Sequence, residues 1–289
     1  MISRRHLFVL ALLTAAPLRA QGPRLSIAPE RPLPGALVRL TLTPSSAPTD
    51  SIVGVRGTMA GEPLHFAAAN GAWRAIGAVP VDADSPVTAS AIITRASGRV
   101  DTVRQAVEAP PLPPPTEQLA VAPRFGQPLD AATAARVARE SARALEVARR
   151  AHDSPARWTS PFLLPRASAI SSQFGTGRTF NGRVASRHLG VDFRGAVGAA
   201  IRAANDGVVA LVDTFYLGGR VIYLDHGGGV VTGYLHLSRP LVSVGDTVAR
   251  GQTIGLVGAT GRVTGPHLHW MARYGRLTVN PLDLVELAP

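Results

Sequence analysis

At 289 residues the chain has room for about two domains, and a composition of 46% hydrophobic and 17% charged residues belongs to a folded protein rather than a disordered one. The net charge is +11, all 30 basic residues are arginine, and cysteine is absent. These counts exclude disulfides, thiolate metal ligands, cysteine and lysine nucleophiles, Schiff bases, and biotinyl or lipoyl attachment. The basic balance favours polyanionic partners such as nucleic acid, anionic lipid or a carboxylate-bearing cell wall; the plainer reading is arginine scattered over the surface.

In chain order, residues 1–20 read as a secretory signal peptide. Arg4 and Arg5 form a basic start, Leu7 to Ala16 is an apolar run too short to span a bilayer, and Leu18-Arg-Ala20 suits cleavage before Gln21. The Ser3-Arg-Arg-His-Leu-Phe8 run also resembles a twin-arginine signal, and the ordinary secretory reading stands beside it. No later segment is apolar enough for a membrane span, so none is expected after signal cleavage.

Residues 21–108 carry short strand patterns, including Leu25-Ser-Ile, Leu37-Val-Arg-Leu-Thr-Leu, Ser51-Ile-Val-Gly-Val and Val87-Thr-Ala-Ser-Ala-Ile-Ile. Turn residues recur at a spacing that predicts a small β-sandwich. His65 is alone there and reads as a surface or packing residue. Residues 109–160 begin with Ala-Pro-Pro-Leu-Pro-Pro-Pro, a semi-rigid spacer, and continue into a helix capped by Asp130 and running to about Ala151. Arg136–Glu140 and Glu146–Arg150 are i,i+4 pairs suited to an exposed face, and His152 fits a helix C-terminus.

Residues 161–289 return to strand patterns: Ala199-Ala-Ile-Arg-Ala, Gly207-Val-Val-Ala-Leu-Val, Arg220-Val-Ile-Tyr-Leu, Val230-Val-Thr-Gly-Tyr-Leu, Thr253-Ile-Gly-Leu-Val and His267-Leu-His-Trp-Met-Ala. The fold class is mainly β: a sandwich-like N-terminal domain, a connecting helix and an antiparallel C-terminal sheet. In that last segment the histidines gather. His267 and His269 are two apart in a strand, so both imidazoles project from one face, and Tyr234 and His236 have the same spacing. His188 and Asp192 flank Gly190. Fully extended, they would lie about 13 Å apart, so the glycine is expected to bend the chain and bring them together. Two imidazoles and a carboxylate form an open zinc set that leaves a fourth position for water. Spare histidines would then handle protons.

From Phe174-Gly175 to Asn280-Pro281 the chain resembles the lysostaphin/LytM-type metallopeptidases of family M23. The resemblance rests on His188-Leu-Gly-Val-Asp192, Tyr234-Leu-His236-Leu-Ser, Val244-Gly-Asp with Gly251-Gln-Thr-Ile-Gly255, Gly258-Ala-Thr-Gly261, His267-Leu-His269 and Val279-Asn-Pro281. It implies that His188, Asp192 and His269 bind one zinc ion (Zn2+) and that His236 and His267 assist catalysis, with their division of labour open. It implies a substrate too: the peptide cross-links of peptidoglycan, in a periplasmic or extracellular setting. A non-catalytic LytM-type activator of other wall hydrolases is the alternative, and in such relatives metal ligands are lost, whereas all five positions are intact here. A carrier-domain reading of the Val244–Gly255 stretch fails for want of a lysine. No nucleic-acid module is recognisable, and a protein regulator is left open. His226, in Leu-Asp-His-Gly-Gly-Gly, reads as a structural turn residue.

Overall fold

The computed structural model describes residues 22–45, 50–112 and 114–287; the expected signal peptide, residues 1–20, lies outside them. Among the described residues no helix is long and apolar enough to cross a membrane.

The N-terminal strands pair as two four-stranded sheets. One runs in the order Arg24–Ala28, Leu37–Thr43, Ala72–Ala78, Ala67–Ala69, and the other in the order Glu62–Leu64, Ile52–Met59, Val87–Arg95, Val100–Val107. The alternation of the Val87–Arg95 strand decides its orientation. Val87, Ala89, Ala91 and Ile93 turn inward onto Leu25, Leu40, Leu42 and Met59, while the residues between them are wetter. This is the sandwich that the turn spacing predicts.

The proline run does not simply space two domains. Residues 108–112 form no helix or strand, but Pro115–Leu119 is a strand that pairs in parallel with Gly177–Phe180, and Val184–Arg187 lies on that strand's other side. The helix follows over Ala131–Arg150. Asp130 caps it by accepting from the Thr133 amide at 2.9 Å. Both anticipated i,i+4 pairs form, Arg136–Glu140 at 2.7 Å and Glu146–Arg150 at 2.6 Å. The first is not on an exposed face, however. Glu140 is buried and also accepts from the Tyr216 amide at 2.8 Å, so the pair ties the helix to the C-terminal sheet.

That sheet runs Ile170–Ser172, Val191–Arg194, His267–Tyr274, Val230–Pro240, Gly219–Gly227, Gly207–Phe215, Thr247–Val248; Thr253–Val257 joins Val230–Pro240 and also pairs with Ala200–Arg202. One face packs the main core around Val191, Phe193, Tyr234, Leu268 and Trp270. The other face is shared. At one end Ala144, Ala148 and Ala151 cover Val231, Tyr223 and Met271. The far end of that face lies open, and there the register sets Asp192 opposite His269 and Arg194 opposite His267.

The two halves also share a core, since Leu37 and Ala78 of the sandwich belong to the C-terminal cluster. The Leu37 amide donates to Asp283 at 2.8 Å. Burial pushes the Asp283 carboxyl up to about 6. His65 is not alone: its Nε2 meets His152 Nδ1 at 2.8 Å, and His152 Nε2 meets buried Glu62 at 3.1 Å. Arg276 donates to the other Glu62 oxygen at 2.9 Å. His152 therefore does more than end a helix; it bridges the sandwich to the sheet.

Candidate metal centre

Backbone geometry accounts for how five residues from three separate stretches meet. The chain bends at Gly190, as expected, and bonds the His188 amide back to the Thr176 carbonyl at 2.8 Å. A side chain at Gly190 would place its Cβ within 2.5 Å of the His269 ring and 2.6 Å of the Trp270 carbonyl, so the imidazole needs a glycine beneath it. The bend brings His188 Nε2 to 2.9 Å from Asp192 Oδ1. His269 Nδ1 lies 2.9 Å from the same oxygen and 3.0 Å from His188 Nε2.

His236 reaches the site by a different route from the one its spacing suggests. Regular alternation would put it with Tyr234 on the core face, and Tyr234 is there, its hydroxyl accepting from the Ala204 amide at 2.8 Å. Leu235 is the last residue paired with the His267–Tyr274 strand and Leu237 the first paired with Thr253–Val257. Between them His236 takes φ +64°, a left-handed conformation rare outside glycine, which turns its ring to the open face. Its centroid is 4.9 Å from that of His267 and 5.9 Å from that of His269. Tyr234 and His236 therefore do not share a face; a bulge, not alternation, delivers the histidine. Its anchor is Thr260, whose carbonyl accepts from His236 Nδ1 at 2.8 Å and whose hydroxyl donates to the Leu237 carbonyl at 2.9 Å. Gly261, at φ +77°, permits that loop to lie against Leu217 and Gly219.

Three of the four imidazoles share one anchoring pattern. His188, His236 and His267 each direct Nδ1 at a backbone carbonyl, those of Gln173, Thr260 and Gly265, all at 2.8 Å. Donation there leaves each Nε2 with its lone pair facing the site. Burial would by itself raise the Asp192 carboxyl, but its close contacts with His188 and His269 outweigh it and hold the group well below the usual carboxylate range. Burial pulls His269 down to about 4, and burial with the neighbouring His267 and His269 pulls His236 well below its ordinary value. At neutral pH the centre thus sets an anionic carboxylate beside the neutral imidazoles of His236 and His269.

His188, Asp192 and His269 together form a group able to hold a metal ion. A single proton shared by two of the three atoms leaves the third without a donor. A cation satisfies all three at once, and two imidazoles with one carboxylate are borderline ligands of the kind zinc takes. His267 Nε2 lies farther off, 3.7 Å from Asp192 Oδ1, beside the cluster rather than in it.

The residues around this set carried no signal in the sequence. Arg178 donates from Nη2 to Asp192 Oδ2 and from Nε to Glu117, both at 2.7 Å, and Ser172 donates to the other Glu117 oxygen at 2.6 Å. Arg178 thereby holds Asp192 with Oδ1 toward the imidazoles. Glu117 comes from the strand that follows the proline run, where composition alone suggests only a spacer.

His226 is structural, as expected, although it closes a strand rather than occupying a turn. It is fully buried between the Asp206 carbonyl and the Thr232 hydroxyl, each at 2.7 Å, and burial holds it at about 4. The open face beside His236 and His267 forms a cleft of about 450 Å³ that reaches Glu117, Arg178, Arg194 and Arg262. A larger cavity of about 570 Å³, near Leu33, Leu112, Phe174 and Asp283, contains none of the five residues.

Residues 186–281 match the model of Peptidase family M23. The peptidoglycan DD-endopeptidase ShyC of Vibrio cholerae is 46% identical over 94 residues, 32% of this chain and 22% of that protein. The DD-carboxypeptidase/endopeptidase Mpg of Neisseria meningitidis is 39% identical over 102 residues, 35% of this chain and 24% of its own. The chain thus spans about a quarter or less of the length of these curated relatives. A crystal structure of a Pseudomonas aeruginosa protein described as an M23 peptidase is similar with a TM-score of 0.64 at 25% identity, covering 88% of this chain and 95% of that one.

Proposed function

We propose, on the premise that residues 186–281 match peptidase family M23, that the chain is a zinc metalloendopeptidase that hydrolyses the peptide cross-links of peptidoglycan. One observation carries the proposal: three lone-pair atoms, His188 Nε2, Asp192 Oδ1 and His269 Nδ1, stand 2.9–3.0 Å apart on an open sheet face with two further imidazoles beside them. The names of the relatives, a peptidoglycan DD-endopeptidase and a DD-carboxypeptidase/endopeptidase, support the substrate class.

His188, Asp192 and His269 hold the metal in this reading. A zinc ion bound there supplies Lewis acidity to polarise the scissile carbonyl and to lower the pKa of a water molecule. The protein does the rest. His236 and His267, with their Nδ1 protons committed to Thr260 and Gly265, present Nε2 to the cleft. As bases they accept the proton of the attacking water, and once protonated they donate to the oxyanion and to the departing amine. Arg178 keeps Asp192 from turning away. The bond attacked is the D-alanyl–diaminopimelate cross-link, and the site of action is outside the cytoplasm, in a periplasm or the extracellular space.

The test is digestion of purified sacculi with the mature protein, followed by mass spectrometry of the muropeptides. Cross-linked dimers convert to monomers, a chelator stops the conversion, and added zinc restores it. Stoichiometric zinc with no cleavage of any wall peptide rejects the enzyme and favours a binding module.

A further inference from the structure

The cleft beside the five residues contains three arginines, and they are not in the same electrostatic state. Arg178 is consumed: Glu117 and Asp192 take its guanidinium in two ion pairs of 2.7 Å. Arg194 is not. It alternates with Asp192 along the Val191–Arg194 strand and pairs across to His267, which puts it on the open face one residue pair beyond the metal set. Its side chain is exposed and meets no acidic group among the described residues.

Arg262 lies on the loop before the His267–Tyr274 strand. Its guanidinium carbon sits 4.0 Å from the centroid of the Phe180 ring, which holds the planar fork in place, and it too has no carboxylate partner among the described residues. Burial and the nearby Arg178 pull its pKa down from the arginine value. A half-buried cation with no counter-ion is costly unless something supplies the anion. The acidic groups on this cleft, Asp192 and Glu117, are both committed to Arg178 and the histidines.

From this geometry, and resting on the peptidase reading above, we infer that Arg194 and Arg262 form a carboxylate-binding subsite that selects peptides bearing a free carboxylate close to the scissile amide. A guanidinium fork matches a carboxylate with two parallel hydrogen bonds, and an aromatic ring beneath the fork fixes the plane in which the carboxylate must arrive. The subsite adjoins His267, so a carboxylate seated there fixes the distance of the peptide bond from the reacting groups.

The experiment uses the full chain loaded with zinc and two cross-linked muropeptide dimers. They are identical except that the diaminopimelate carboxyl next to the scissile amide is free in one and amidated in the other. Loss of a charge-assisted hydrogen bond predicts that amidation lowers kcat/KM about tenfold or more. In Arg262→Gln and Arg194→Gln that ratio falls toward one, and Arg262→Lys keeps part of it. Equal cleavage of the two dimers by the unmodified chain overturns the subsite, as does an undiminished ratio in both glutamine variants. Calorimetry of the same dimers with the zinc-loaded His236→Ala chain reads the preference without turnover. If neither dimer is ever cleaved, the peptidase reading fails. The subsite still stands or falls on whether the free carboxylate binds more tightly there and whether adding Arg262→Gln removes the difference.

Discussion

Among the described residues lie two clusters of histidine and carboxylate, and their contrast shows what separates a metal centre from a structural joint. In the joint between sandwich and sheet, His65, His152, Glu62 and Arg276 form a chain in which contacts follow one another. Protons are available at each step, and the cluster closes on itself. In the cleft, His188, Asp192 and His269 aim lone pairs at a common point, while the Gln173 carbonyl holds the outer nitrogen of His188 and Arg178 the outer oxygen of Asp192. The residue types are almost the same. Convergence, with the outer atoms of His188 and Asp192 held from behind, makes the difference.

The largest effect that sharpens this contrast is expected from Asp192→Ala. It removes the atom common to both imidazole contacts and leaves Arg178 to Glu117 alone, so zinc content by elemental mass spectrometry drops to background and muropeptide cleavage is lost. A variant that still holds zinc normally contradicts the ligand assignment. His236→Ala comes next: the general acid–base contribution sets an expected fall in kcat of about 10²–10⁴-fold with zinc content unchanged. Arg178→Ala is expected to weaken zinc affinity by about 10–100-fold in a chelator competition, because Asp192 loses the partner that orients it.

In the joint, His152→Ala should leave zinc content untouched and lower stability by about 1–3 kcal/mol, read from a denaturant melt, since Glu62 stays buried with one partner fewer. The joint also responds to pH. Burial, with each other's proximity in the case of His65, lowers both His65 and His152 below the ordinary value of 6.5. The folded state therefore binds fewer protons than the unfolded one, and the stabilisation is complete above pH 6.5 and declines as pH falls below it. Melting temperature should drop with acidification below that point, and the slope should flatten in a His65→Ala, His152→Ala double variant.

Much of this arrangement is legible in the sequence. The pairing of His267 with His269 followed from strand alternation, and the bend at Gly190 followed from the distance that His188 and Asp192 must close. The capped helix and its two ion pairs were likewise readable, because capping and i,i+4 spacing are local. What was not legible depends on contacts distant in sequence. His236 looked like a partner of Tyr234, because a bulge with φ +64° arises where one strand changes neighbours, and spacing does not record that. Glu117 sat in a proline-rich stretch and gave no sign of pairing with Arg178, 61 residues away. For the same reason His65 reads as solitary and His152 as no more than a helix terminus, the two being 87 residues apart.

The most direct test of the converging centre is X-ray absorption at the zinc edge on the full chain and on His269→Ala. The account predicts one zinc per chain with two imidazole nitrogens and a carboxylate oxygen among its ligands, and one imidazole fewer, or no bound zinc, in the variant. An unchanged spectrum in His269→Ala, or zinc bound without imidazole, would contradict it.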